Sequence, residues 1–266
     1  MPLLPAFIRG LILDMDGVIW KADAPIGDLP AIFAEIRRRG LKFVFATNNS
    51  TRTPQQYVDQ LARLGVAVEG WQVVTSSLAA ADLIARQLPA HAPVFAIGED
   101  GLIQALIEKN LIVLPAESAE SAQAVVLGID RKVNFQKMAE AALLVRRGVP
   151  FYATNLDKTF PTPRGQIPGA GAWASVIITA SGSEPIVAGK PSTALMELAL
   201  ARLALPREAA LVVGDRLETD IAAGQAAHCP TALVLSGVST RAQAQAWAPK
   251  IDLIANHLTD IVTETV

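Results

Sequence analysis

Short apolar runs alternate with amphipathic stretches along the whole chain, and most of the runs end in a polar or glycine-bearing turn. Ile8 to Leu13 reads as a central strand, because strands buried on both faces appear as near-continuous apolar runs. Asp28 can then cap a helix with Pro30 in its first turn, and Gly40 can end it. Lys42 to Ala46 predicts a second strand leading into Thr47-Asn48-Asn49-Ser50, and Thr53-Pro54 opens a helix closing at Gly65. Val73-Val74 predicts a third, short strand. A fresh strand–helix series follows, with strands at Val94 to Ile97, Ala124 to Ile129 and Phe151 to Thr154, and a helix from Asn134 to Arg147. A Pro/Gly-rich loop runs from Asn155 to about Gly171, a length that in a compact domain marks either a functional or a disordered segment. The last third predicts strands at Ile186 to Ala188, Ala210 to Val213 and Thr231 to Leu235. This alternation gives an α/β class with a doubly wound parallel-sheet core. The core is expected to comprise residues 1–77 and 184–266, with an α/β insertion at 78–183.

Composition narrows the class. The chain has 266 residues, 51% hydrophobic and 18% charged, enough apolar surface for one large or two small cores. A net charge of −2 gives no global field for nucleic-acid polymers or anionic membranes. No apolar run approaches a membrane span and no signal peptide is evident. A single cysteine, Cys229, rules out an intrachain disulfide, and a cytoplasmic protein is the expectation.

The chemistry is concentrated where the strands stop. Asp14 and Asp16, spaced i, i+2 and followed by Gly17, sit where an open α/β sheet places its ligands. Two carboxylates there are costly unless something positive joins them. A hard cation and a phosphate are the natural partners, which points to phosphoryl chemistry. Three more polar signatures follow apolar runs: Thr47-Asn48, Lys190, and Asp215 with Asp220. Each alone is a common turn, cap or solvated charge; together, in this order, they are specific, and the strand count allows all four to meet at one sheet edge.

At these residues the chain resembles the haloacid dehalogenase superfamily. Asp14-Met15-Asp16-Gly17-Val18 matches its first motif, Thr47-Asn48-Asn49 the second, Lys190 in Gly189-Lys190-Pro191 the third, and Gly214-Asp215 through Thr219-Asp220 the fourth. The insertion resembles the α/β cap of the class IIA, NagD-like subgroup. That subgroup includes phosphatases of sugar phosphates, nucleotides, p-nitrophenyl phosphate, phosphoglycolate and pyridoxal phosphate. The resemblance implies a Mg2+-dependent phosphatase of small phosphorylated metabolites. Asp14 would be the nucleophile and Asp16 the general acid/base. Mg2+ would be held by Asp14, the backbone carbonyl of Asp16 and Asp215, with Asp220 outside the direct ligands or orienting Lys190. Gly17, Thr47, Asn48 and Lys190 would bind the phosphoryl oxygens. Homodimers and homotetramers both fit the family.

In the cap, Asn155 and Asp157 are the preferred substrate contacts within Asn155–Gly165, against a loop held by its own side chains. Trp20, just past Gly17, fits either a wall of the site or plain packing. His91, His228 and His257 form no ligand spacing. Other readings stay open: a phosphotransferase or mutase of the same chemistry, and a phospho-ligand-binding protein without catalysis. A signalling receiver shares the acidic strand ends but is much shorter, and a dehalogenase needs no acid/base of the Asp16 kind.

Overall fold

A computed structural model describes residues 4–22, 24–162 and 164–263. Pro163, and the outermost residues of the expected core segments, therefore lie outside the described residues. The chain forms two compact units. The first contains the residues up to Thr47, then Pro54–Val74, then those from Lys190 onward; the second contains Asn48–Thr53 and Thr75–Gly189.

The first unit is built on a six-stranded sheet. Its strands, in spatial order, are Leu253–Ala255, Thr231–Val234, Ala210–Gly214, Gly10–Leu13, Lys42–Thr47 and Val73–Thr75. Gly10–Leu13 lies parallel between Ala210–Gly214 and Lys42–Thr47, with Leu13 opposite Val213 and Phe45. All four residues of that strand are buried, as its apolar run requires. The helix Leu29–Arg38 starts where expected: the Asp28 carboxylate accepts from the Ala31 N–H at 3.1 Å, with a proline in the first turn. Its apolar face places Phe33 against Phe43 and Phe45, with ring centroids 5.0 and 5.7 Å away.

The second unit has its own five-stranded parallel sheet, ordered Ile186–Val187, Phe151–Ala153, Ala124–Leu127, Pro93–Ile97 and Ile112–Leu114. The helices Phe135–Arg146 and Ala170–Ser181 cover it with a separate apolar core that includes Phe95, Val125, Leu144, Phe151 and Ile177.

Several expectations need correction. Ile186–Val187 pairs with Phe151–Ala153, so the strand belongs to the second unit's sheet. The stretch after Asn155 is not an extended loop: Thr159–Thr162 and Gly165–Pro168 form an antiparallel hairpin, and a helix begins at Ala170. Its prolines and its exposed second strand, with no apolar face to mark it, concealed the pairing. Beyond Thr231–Val234 the sheet gains a further strand, Leu253–Ala255, that the apolar runs did not mark. Among the described residues no helix is long and apolar enough to cross a membrane.

Candidate active site

Within the first unit, Asp14 follows directly on Gly10–Leu13, and its N–H donates to the Val213 carbonyl at 2.9 Å, extending the strand pairing by one residue. The neighbouring strand Ala210–Gly214 delivers Asp215 the same way. A turn of helix at Leu217–Ile221 then folds back so that Asp220 lies beside it. The carboxylates of Asp14, Asp215 and Asp220 each offer an oxygen, and these oxygens lie within 4.8 Å of one another.

Lys190 joins them, but by a different route from the one expected. It does not end a strand of this sheet; it leads into the helix Thr193–Leu203 after the chain has left the second unit's last strand. The Lys190 side chain is 3% exposed. Its ammonium group donates to Asp14 Oδ1, to Asp220 Oδ1 at 2.6 Å and to the Ala46 carbonyl at 2.9 Å, an acceptor for each of its three protons. Burial by itself would lower the lysine's pKa, but the charges of Asp14 and Asp220 override it and hold the group above the ordinary lysine range.

The acids shift the other way. Burial raises Asp14 well above the usual carboxylate range; Lys190 opposes this, and Asp220 and Asp215 add to it. Burial, followed by the charge of Asp220, pushes Asp215 up to about 6. Three carboxylates face one ammonium, so the cluster has a surplus of negative charge and an all-oxygen donor set. Both features suit a hard divalent cation. Asp220 is the least available ligand: Oδ1 accepts from Lys190 and Oδ2 from the Arg216 N–H at 3.0 Å.

Thr47 is buried at the end of Lys42–Thr47, the strand beside Gly10–Leu13. Asp16 is exposed, and the Trp20 indole N–H donates to its Oδ1 at 3.0 Å. Gly17 has φ +85°, and a Cβ there would lie 2.4 Å from Asp215 Oδ2, so both the turn and the close approach require glycine.

Asn48, Asn155 and Asp157 come together in the second unit. Asn48 Nδ2 donates to Asp157 Oδ2 at 3.3 Å, and Asn155 Nδ2 donates to the Asn48 carbonyl at 2.8 Å. Asn155 Oδ1 accepts from the Asp157 N–H, and the Asn155 residue is 2% exposed.

The sequence reading missed the loop after Thr231–Val234. The Val238 N–H donates to Asp215 Oδ2 at 2.8 Å, the Ser239 N–H donates to the Asp215 carbonyl, and the Ser236 hydroxyl donates to the Gly17 carbonyl at 2.6 Å. Ser236-Gly237-Val238-Ser239 carries the same signal as the other sites, a polar, glycine-bearing turn just past an apolar strand. A Cβ on Gly237 would lie 1.8 Å from Asp215 Oδ2, so Gly237→Ala must displace that carboxylate. The variant is expected to need a much higher metal concentration for activity and to lose about 1–3 kcal/mol of stability through overpacking. Metal titration of activity, together with denaturant unfolding, measures both; unchanged metal dependence would show that Asp215 does not need this cradle.

Comparison with known proteins agrees with this geometry. A family model described as haloacid dehalogenase-like hydrolase matches residues 11–112, and a second, HAD-hydrolase-like model matches 187–261. The 5'-nucleotidase YutF of Bacillus subtilis is 38% identical over 233 residues, 88% of this chain and 89% of that protein. A solved glycerol phosphate phosphatase from Mycobacterium tuberculosis, in complex with magnesium, superposes with a TM-score of 0.91 at 34% identity, covering 98% of this chain and 79% of that one. NagD from Escherichia coli K-12 gives 0.88 at 30% identity, covering 97% and 99%. Strand-end carboxylates, the lysine that bridges them and full-length similarity at these identities lead to one assignment: the chain belongs to the haloacid dehalogenase-like hydrolase family, among its NagD-like phosphatases.

Proposed function

We propose that the protein is a magnesium-dependent phosphatase that hydrolyses small phosphorylated metabolites through an aspartyl phosphate on Asp14. The observation that carries this reading is the meeting of Asp14, Asp215, Asp220 and Lys190 at one edge of the first unit's sheet. Asp14 Oδ1 is held by Lys190, which fixes the carboxylate's orientation and offsets part of its charge. Its other oxygen attacks phosphorus; the bond from phosphorus to the leaving oxygen breaks, and that oxygen takes the proton of Asp16. Water then attacks the phosphoryl group, passes a proton back to Asp16, and releases phosphate with Asp14 restored. Asp14, the Asp16 carbonyl and Asp215 are the residues that would hold magnesium, which when bound would supply the charge neutralisation that lets a carboxylate approach a phosphate. Thr47, Asn48 and the turn at Gly17 are the proposed donors to the phosphoryl oxygens, and Lys190 joins them when substrate takes the place of one of its three present acceptors. Asp220, with both oxygens engaged, orients Lys190.

The second unit is read as the cap, with Asp157 as its contact to the leaving group and Asn155, buried and bonded to Asn48 and Asp157, holding that segment in place. Their bonds to Asn48 support a joint role with that segment. The single cysteine supports a cytoplasmic setting. A homodimer or homotetramer is the assembly expected from the family.

Phosphate release tests the reading. The panel should hold nucleoside monophosphates, sugar phosphates, glycerol phosphate, phosphoglycolate, pyridoxal phosphate and p-nitrophenyl phosphate, each with magnesium and with a chelator. Release that requires magnesium is the expected result, and the panel ranks the substrates. No magnesium-dependent release from any member would overturn the proposal.

A further inference from the structure

We infer that Trp20 is a positioning residue for Asp16: its indole N–H fixes the Asp16 carboxyl group so that the transferable proton is carried on Oδ2. The inference rests on the reading of Asp16 as the acid/base. Asp16 is an exposed aspartate, and an acid in that position depends on which of its two carboxyl oxygens faces the leaving group. Here its Oδ1 accepts a hydrogen bond of 3.0 Å from Trp20 Nε1. The indole is a rigid anchor. Trp20 is 3% exposed, and its ring stacks on that of Tyr57 with 6.4 Å between centroids and 5° between the ring planes.

The backbone fixes the same spacing. The Gly17 N–H donates to the Trp20 carbonyl at 2.7 Å, the Trp20 N–H donates to the Met15 carbonyl at 3.2 Å, and Asp16 and Trp20 form a β-bridge. The turn that presents Asp16 therefore also presents the donor that orients it. Indole N–H donates and never accepts. A carboxyl oxygen that accepts from it keeps its lone pairs there, and the acidic hydrogen belongs on the other oxygen. A general acid needs this directional control, because proton transfer to the leaving oxygen depends on the approach of one particular oxygen atom. The packing needs of the site would be met equally well by an aromatic ring with no N–H.

The leaving group reports the effect. Esters of alcohols need a proton as the bond breaks, whereas nitrophenolate departs without one. Two replacements delete the N–H: Trp20→Phe, and 3-benzothienylalanine at position 20, which keeps the bicyclic shape with sulfur in place of N–H. For both, kcat/KM on alkyl phosphates is expected to fall about 10- to 100-fold, and on p-nitrophenyl phosphate by less than about 3-fold. An equal fall on both substrates, or no fall in the benzothienyl protein, overturns the inference. If the phenylalanine variant fails to fold, the benzothienyl protein decides. Asp16→Asn is measured beside them. A steep leaving-group dependence in Asp16→Asn with none in the Trp20 replacements rejects the role of Trp20 alone. No steepening in Asp16→Asn rejects the acid role of Asp16, and the inference falls with it.

Discussion

Asp14→Asn is expected to abolish phosphate release, by on the order of 10^5-fold in kcat, while the protein folds and still binds substrate. Asparagine keeps the shape of the side chain and can still accept the Lys190 bond, but it has no carboxylate with which to form the phosphoenzyme. Single-turnover measurement of phosphate, with circular dichroism as the check on folding, reads the result directly. A folded variant with turnover near that of the parent would exclude Asp14 as the nucleophile.

The same site makes a second statement about stability. A carboxylate whose folded pKa lies above its unfolded value binds protons more readily in the folded chain. Its contribution to stability therefore grows as pH falls through the folded pKa and shrinks as pH rises. Asp14, raised by burial, and Asp215, pushed to about 6 by burial and by Asp220, have this sign. In a chelating buffer these two groups should make the protein more resistant to denaturant at pH 5 than at pH 7, and Asp215→Asn should show a smaller gain. An equal gain in the variant would place the effect on other groups.

Lys190→Met carries the largest expected loss of stability. The methionine fills a similar volume but leaves Asp14 and Asp220 without their shared cation. Removing one partner from a buried ion pair costs about 3–5 kcal/mol, because the remaining charge stays buried and uncompensated. Activity is expected to fall at least about 10^3-fold, because the cation that orients Asp14 and is proposed to reach the phosphoryl group is lost. Added magnesium should restore part of the stability and little of the activity, since a cation near Asp14 can replace the charge but not the donor. Denaturant midpoints with and without metal test this. A variant as stable as the parent in chelator would mean that the cluster does not depend on Lys190.

What the chain reveals before it folds follows from range along the sequence. Asp14, Thr47 and Asp215 were legible because each sits one step past an apolar run, and a parallel sheet brings such positions to one edge. The caps at Asp28 and Asn134 were legible because a cap acts on a backbone N–H three residues away. The route of Lys190 was not, because the short run before it, Ile186–Val187, looks the same whichever sheet takes it up. Ser236 to Ser239 were missed for a related reason. They carry the same polar, glycine-bearing turn signal, but they hold Asp215 and Gly17, about 20 and 220 residues away along the chain, through two backbone N–H groups and one hydroxyl, and that signal does not say which partner is held.

The path of the chain between its two units also limits how this molecule could be taken apart. Residues 48–53 lie in the second unit although the chain on either side of them belongs to the first. The carbonyls of Asn48 and Ser50 accept from the hydroxyls of Ser76 and Ser77, and Gly101 packs so closely on Ser50 and Arg52 that a Cβ would sit about 2.5 Å from their backbone oxygens. A gene fragment encoding 78–183 would leave out this strip, the serines that grip it and the sheet's edge strand at Ile186–Val187. As an exchangeable part, in the laboratory or by recombination, the second unit is not a cassette with two ends. A donor copy would have to be accepted by a host whose own residues 48–53 already fit it.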